Sequence, residues 1–111
     1  MTKKDPQEMS NPFDIKLNFV SLGTMMKWED DNIHYRIHTG VKDETIVLAI
    51  VKRYTRETLG WIDWDITWKK YCVRTLNNSL FTPYSLKSIA GLCDELTDIH
   101  YELLRARKKY D

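Results

Sequence analysis

A long amphipathic helix near the carboxyl end most constrains how this chain can fold. Apolar residues recur at three- and four-residue spacing from Leu86 to Leu103, which is typical of a helix with one apolar side. Thr82 supplies a capping hydroxyl and Pro83 is favoured at a first helical position, so the helix is predicted from residue 83 to about 108. His100, alone on the apolar stripe, is predicted to be a hydrogen-bonded residue at the core edge. The apolar side of this helix needs a sheet to cover it.

The segments before this helix predict the strands of that sheet. Alternation of apolar and polar residues, or a continuous apolar run, marks strands at 15–20, 24–28, 33–38, 45–51, 58–62 and 67–73. Residues 45–51 are rich in β-branched side chains, as expected for an interior strand covered on both faces. Polar turn formers at 29–32 predict a β-hairpin over 24–38, and residues 63–66 are predicted to turn a tryptophan-rich hairpin.

The predicted fold class is α+β, with a four- to five-stranded, mainly antiparallel β-meander packed against one long C-terminal helix. Residues 1–13 are polar and lack periodicity, so we expect a flexible N-terminal arm ahead of a single α+β domain over residues 14–111. One helix covers one face of the sheet. The other face, with His34, Arg36 and His38, is therefore expected to meet solvent, the arm or a partner.

Composition limits the classes of function. Seventeen basic and sixteen acidic side chains nearly cancel, so attraction to nucleic acid or to an anionic membrane would need a local patch. Cys72 and Cys93 form no CxxC pair, which excludes a zinc knuckle and a thioredoxin-type motif by spacing and predicts two buried free thiols. The longest apolar run is six residues, 46–51, so neither a signal peptide nor a membrane span is predicted. We expect a cytoplasmic protein.

No motif has the spacing of a known catalytic or metal site. His34, Arg36 and His38 share one strand face, but the fixed charge of Arg36 between the histidines disfavours a metal ion. Asp63 and Asp65 are typical turn formers, and no nucleophile, phosphate-binding loop or metal-ligand set accompanies them. We therefore predict a protein that is not an enzyme and has no catalytic residue, metal or cofactor.

A cluster of aromatic residues predicts a partner-binding surface. Trp61, Trp64 and Trp68 lie within eight residues, and so dense a cluster is core, ligand platform or interface. An exposed indole suits either an anchor in a protein interface or stacking on an unpaired base. The predicted helix is longer than the strands, so Ile99 and Leu103 would be exposed unless a second copy or a partner covered them. These five residues are the predicted protein-binding set, and a homodimer is one expected form.

Nucleic-acid binding is the alternative. It would use the outer face of the sheet and the basic end of the helix, whose cations would contact phosphates. The residues of this alternative are Arg36, Lys69, Lys70, Arg105, Arg107, Lys108 and Lys109.

Residues 57–98 also carry a series of short motifs. In order, they are Leu59-Gly60-Trp61-Ile62, Trp64, Trp68-Lys69-Lys70-Tyr71, Phe81, Leu86, Ile89-Ala90, Cys93 and Leu96. This order resembles small phage and prophage proteins that carry L-G-x-I-x-W, then W-R-x-Y, then a helix like L-x-x-I-A-x-F. The chain differs in having Lys69 and Lys70 where arginine is common and Leu92 where an aromatic residue is common.

The resemblance implies a viral origin and a small accessory role. Together with the aromatic cluster, it leads us to expect a non-enzymatic phage or prophage accessory protein in the host cytoplasm. That protein would bind a host or phage protein, with inhibition of a host system as one way of acting.

Overall fold

This computed structural model describes residues 12–110, and the side chains of residues 12–107. Over that range the chain forms two helices and four strands. They are α1 (Pro12–Lys27), β1 (Ile33–Lys42), β2 (Thr45–Lys52), β3 (Thr58–Asp65), β4 (Lys70–Thr75) and α2 (Pro83–Tyr110). The strands form one antiparallel sheet in the order β1-β2-β3-β4. The α+β class, the antiparallel meander and the long C-terminal helix are confirmed.

The first element is a helix, so the strands predicted at 15–20 and 24–28 are wrong. Pro12 occupies the first helical position, where its missing N–H costs nothing. Leu17 is fully buried, whereas Ile15 and Phe19 are exposed. Apolar side chains on both sides of the helix produced the alternation that resembled a strand. The predicted N-terminal arm lies outside the described residues, except for the first two residues of this helix.

The tryptophan-rich hairpin is present, but its turn lies at 66–69 and not at the predicted 63–66. The strand continues past the predicted turn because Asp63 pairs with Cys72. The chain turns after Asp65, whose carboxylate accepts a hydrogen bond from the backbone N–H of Trp68 at 2.7 Å. Lys69 then adopts a φ of 57° and closes the turn.

Both helices cover the same face of the sheet. α1 lies against β1, α2 lies against β4, and the two helices contact each other. The sheet contributes Tyr35, Leu48 and Ile62, among other residues, to the core. Ala49 and Val51, on the opposite face of β2, are also buried, which confirms the interior strand. No helix in the described part of the chain is both long enough and apolar enough to span a membrane.

The face of the sheet away from the helices is called here the outer sheet face. Strand pairing places Arg36, Ala49, Trp61 and Arg74 side by side across it, one from each strand. The prediction that basic side chains of β1 lie on an uncovered face is therefore confirmed.

The loop between α1 and β1 is held by the buried carboxylate of Asp30. Its Oδ1 accepts hydrogen bonds from the backbone N–H groups of Asn32, at 2.7 Å, and Ile33, at 2.9 Å. Its Oδ2 accepts one from the hydroxyl of Ser85 at 2.8 Å. Because Ser85 lies in the first turn of α2, one carboxylate ties the loop to both β1 and α2.

Thr82 caps α2 as predicted, since its Oγ1 accepts a hydrogen bond from the N–H of Ser85 at 3.0 Å. We expect Thr82→Ala to lower the free energy of unfolding by about 1 kcal/mol, because alanine leaves that amide without its acceptor. Urea denaturation measures the loss. Thr82→Ser keeps a hydroxyl and should lose less, and equal losses for the two variants would contradict the cap.

Candidate functional site

The side of α1 that faces away from the sheet is apolar. Ile15, Phe19, Leu22 and Met26 are 49%, 76%, 47% and 72% exposed, and these four residues are called the outer face of α1. Their spacing of four, three and four residues places them in one row along the helix. The opposite side of α1 already supplies its buried residues, such as Leu17. The outer face of α1 is therefore not needed to complete the core.

A groove of about 460 Å³ runs beside this face. Its lining includes Phe19, Leu22, Gly23, Lys27 and Glu95. A Cβ built on Gly23 would have no atom within 4 Å, so the backbone of α1 is open there. Glu95 of α2 accepts hydrogen bonds from Lys27 Nζ at 2.8 Å and Trp28 Nε1 at 3.0 Å. The hydrogen bond from Lys27 is the main cause that lowers the pKa of Glu95.

The three tryptophans predicted to bind a partner lie in three different environments. Trp68, in the turn between β3 and β4, is 70% exposed. Trp61 is half-buried on the outer sheet face, where its ring centre lies 5.9 Å from that of His38. Trp64 packs against the core, with its ring 4.1 Å from that of His100. Of the three, Trp68 alone presents most of its ring to solvent.

Ile99 and Leu103 are half-buried and not exposed. The start of α1 reaches this part of α2, because the guanidinium of Arg107 lies 5.2 Å from the ring centre of Phe13. Arg107 also forms an ion pair with Glu44 in the turn between β1 and β2. The overhang from which the homodimer was predicted is therefore partly covered by a helix that was not predicted. The homodimer itself stays a prediction.

The structure separates the residues of the predicted nucleic-acid surface. Arg36 lies on β1 and Lys70 on β4, at opposite edges of the sheet. Three strand spacings of about 4.8 Å lie between them. Lys69 lies in the turn after β3, where its carbonyl oxygen accepts a hydrogen bond from the hydroxyl of Tyr101 at 2.8 Å. These three cations do not form one patch.

The basic end of α2 lies in the other layer of the fold. Arg105 is exposed there, and Arg107 is paired with Glu44. The side chains of Lys108 and Lys109 lie outside the described residues. The predicted set therefore does not form one continuous surface in the part of the chain that the structure describes.

Arg36 instead belongs to a basic pocket, of which the sequence predicted only the shared strand face of His34 and Arg36. The pocket has a volume of about 430 Å³ and is lined by His34, Arg36, Val51, Arg53 and Arg56. His34 and Arg36 come from the outer sheet face of β1, and Val51 is the strand partner of His34. Arg53 and Arg56 follow β2 in the chain, so the turn between β2 and β3 completes the pocket.

Asp63 and Asp65 are held by Arg74 on the outer sheet face. Arg74 Nε donates to both carboxylate oxygens of Asp63, at 2.8 and 2.9 Å, and Arg74 Nη2 lies 3.4 Å from Asp65 Oδ1. The hydrogen bond from the Trp68 amide is the main cause that lowers the pKa of Asp65. Asp65 is thus the turn former that was predicted, and both carboxylates are engaged in structural contacts.

The cysteines are free, as predicted. Cys93 is buried as predicted, but Cys72 is half-buried, so the prediction of two buried thiols is wrong for Cys72. Burial raises the pKa of the Cys93 thiol to about 12, so it stays protonated and weakly nucleophilic at neutral pH. Among the described residues, no three His, Cys, Asp or Glu side chains are grouped so that they could hold a metal ion.

His100 lies in a cluster of aromatic rings at the edge of the core. Its ring contacts those of Phe13 at 5.4 Å, Trp64 at 4.1 Å and Tyr101 at 5.6 Å between centres. His100 is buried, and its Nδ1 has no hydrogen-bond partner among the described residues. The predicted hydrogen-bonded histidine is therefore placed correctly at the core edge, but without that bond at Nδ1.

This burial predicts a pH-dependent stability. Burial lowers the pKa of His100 below its ordinary value of 6.5, so the unfolded chain binds a proton more readily than the folded chain. The contribution of His100 is complete above pH 6.5 and decreases as the pH falls from there through the folded pKa. Thermal unfolding between pH 7.5 and about 5 should show this slope, and His100→Phe should reduce it. Equal slopes for the two proteins would contradict the assignment.

A scan against protein-family models and searches of the curated proteins and of the solved structures find no match for this chain.

Proposed function

We propose that this chain is a non-enzymatic phage or prophage accessory protein that acts in the host cytoplasm by binding another protein. The motif order over residues 57–98 supports the phage assignment, and inhibition of a host system is one way in which such binding would act. The proposed binding surface is the outer face of α1, together with the groove beside it. The tryptophan cluster was the surface predicted from the sequence.

The observation that carries this proposal is the exposure of four large apolar side chains in one row. A single exposed apolar residue is ordinary, but a contiguous apolar patch marks an interaction surface. Full burial of each such side chain is worth about 1.5 to 3 kcal/mol. The fold buries only about a quarter of Phe19 and of Met26, so a partner is the simplest reason for apolar side chains at these positions.

The geometry favours a helix as the occupant. Spacing of four, three and four residues is that of the contact row in a pair of packed helices. Gly23 lies beside this row, next to Leu22, and glycine costs about 1 kcal/mol in a helix interior relative to alanine. The open space above Gly23 allows a partner helix to approach the backbone of α1 closely.

The charges around the face favour another protein over a second copy. Lys16 is exposed beside the outer face of α1 and forms no ion pair with a described residue, whereas Lys27 is paired with Glu95 of α2. Asp14, the single acidic residue of α1, is half-buried, so a second copy packed through this face would bring another Lys16 and no exposed acidic residue of α1. We therefore propose an amphipathic helix with acidic residues flanking its apolar side as the occupant.

Photocrosslinking in bacterial cells tests this proposal. A photoreactive phenylalanine analogue at Phe19 should yield a discrete crosslinked product. The amount of this product should fall when the cells also express the protein without the analogue. The same analogue at Leu80, which is 89% exposed but lies in a loop, is the matched control. Specific crosslinking from Leu80 or Trp68 but not from Phe19 would overturn the proposed surface.

Sedimentation equilibrium of the purified chain tests whether the occupant of this face is a second copy or a different protein. The proposal predicts a monomer in the absence of the partner. A dimer that Phe19→Asp dissociates would make a second copy the occupant of this face. A dimer that Leu103→Asp dissociates would instead support the homodimer predicted through α2.

A second candidate function is nucleic-acid binding, and the observation that favours it is the position of Arg36 in the basic pocket. Phosphate contacts make affinity fall steeply with salt, whereas an apolar interface does not. A screen of single- and double-stranded DNA and RNA at low and high salt therefore separates the two functions. Absence of binding at micromolar protein would exclude the second.

A further inference from the structure

The basic pocket on the outer sheet face has more positive charge than its surroundings neutralise. Arg53 pairs with Glu29, its Nη2 lying 3.1 Å from Oε1, and its Nε donates to the carbonyl oxygen of Asp30 at 3.1 Å. Arg36 and Arg56 form no ion pair with any described residue. Three guanidinium groups against one carboxylate leave two positive charges uncompensated.

The backbone at Arg56 is in a conformation that does not suit arginine. Its φ is 63°, in the left-handed region that glycine and asparagine adopt more easily. A side chain with a Cβ costs about 1 to 2 kcal/mol there. The backbone of Arg56 closes the turn, because its N–H donates to the carbonyl oxygen of Lys52 at 2.8 Å, and its side chain lines the pocket.

The pocket also has positioned donors. The two hydrogen bonds of Arg53 hold its guanidinium against the loop between α1 and β1, so its orientation is set before any ligand arrives. The side-chain N–H groups of Arg36 and Arg56 donate no hydrogen bond to a described residue, so they are available to a ligand. Arginine presents these donors in a planar fork that matches the oxygens of a phosphate.

We propose that the basic pocket binds a phosphate monoester. Such a group carries about −1.5 to −2 charge at pH 7, which matches the two uncompensated charges. A volume of about 430 Å³ lies within the range of small-ligand sites, about 300 to 1,000 Å³. It leaves room for a group attached to the phosphate. A mononucleotide and the 5′ end of a nucleic-acid strand both carry this group.

This site is independent of protein binding through α1, because α1 packs on the other face of the sheet. Each proposal therefore survives failure of the other.

Calorimetric titration with a nucleoside 5′-monophosphate at low salt tests the site. Arg56→Asn removes the charge while placing a residue suited to the left-handed conformation, so the variant should be as stable as the parent or more stable. Arg36→Gln removes the second uncompensated charge. We expect affinity to fall at least about tenfold in each variant, because each loses charge-assisted hydrogen bonds to the phosphate.

Lys70→Gln is the matched control, since it removes one positive charge from β4, at the far edge of the same sheet. Its affinity should stay within about twofold of the parent if the pocket, and not net charge, binds the ligand. An equal loss in Lys70→Gln would overturn the proposal. So would equal binding of the unphosphorylated nucleoside, or no binding at millimolar nucleotide.

A pair of single-stranded oligonucleotides, with and without a 5′-phosphate, distinguishes the two sources of the group. Tighter binding of the phosphorylated strand than of the mononucleotide would assign the site to a strand end. Equal affinities for these two ligands would assign it to a small molecule. If both strands bind equally, and Arg56→Asn weakens them equally, the pocket contacts internal phosphodiesters and the monoester assignment is wrong.

Discussion

Asp30→Ala is expected to lower the free energy of unfolding by about 3 kcal/mol, because hydrogen bonds to a buried charged group are worth about 1.5 to 3 kcal/mol. The substitution removes the acceptor of the buried Ile33 N–H and of the Ser85 hydroxyl together. It therefore loosens the start of β1 and the first turn of α2 at once. Equilibrium urea denaturation followed by circular dichroism measures the loss.

Asp30→Asn is the matched control for this loss. Asparagine keeps one acceptor oxygen at nearly the same volume, so this variant should lose roughly half as much as Asp30→Ala. If Asp30→Ala costs less than about 1 kcal/mol, the carboxylate does not hold the loop, and the contacts of Ile33 and Ser85 are incidental.

Gly91→Ala is expected to destabilise the chain by about 2 kcal/mol, although alanine is the better helix former. A Cβ at residue 91 would overlap the ring of Trp28, which wedges between α1 and α2. The ring would have to shift and lose its hydrogen bond to Glu95. Chemical denaturation gives the stability change.

Gly23→Ala provides the opposite expectation in the same protein. No atom lies within 4 Å of a Cβ built there, so alanine should stabilise α1 by about 1 kcal/mol. The two substitutions should therefore change the free energy of unfolding in opposite directions. A similar change at both positions would contradict the packing of Trp28 against Gly91. In the proposed complex, the methyl group at residue 23 should also weaken binding of a closely approaching helix.

Much of the fold was predictable because its signals are local. The continuous apolar run of β2 predicts a strand that is buried on both faces. The Thr82-Pro83 pair predicts the start of α2, because Thr82 supplies the cap. The tryptophan-rich hairpin was predicted, but its turn was misplaced, since strand pairing carries Asp63 into β3. A local pattern does not report where two strands stop pairing.

α1 was missed for a reason that bears on function. Leu17 packs inward while Ile15 and Phe19 point outward, so the helix has apolar residues on two sides and no single helical period. Only a folded structure shows that the outward set is left uncovered. The outer face of α1 is therefore the part of the candidate site that the pattern of apolar residues in the sequence does not predict.

The basic pocket was half predicted. The shared strand face of His34 and Arg36 follows from period-two alternation. Arg53 and Arg56 were missed because they come from a turn whose approach to β1 depends on strand register and on the left-handed conformation at residue 56. The basic composition of residues 52–56 was the available signal.

The central claim is that the outer face of α1 binds a protein partner. Titration of the crosslinked and purified partner against the parent chain, Phe19→Asp and Trp68→Asp tests it most directly. Both substituted side chains are largely exposed, so both variants should stay folded, with melting temperatures near that of the parent. We predict that Phe19→Asp weakens binding about 100-fold, as loss of a central anchor does, while Trp68→Asp stays within about threefold. Full affinity of Phe19→Asp with loss in Trp68→Asp would contradict the claim and return the binding surface to the tryptophan hairpin.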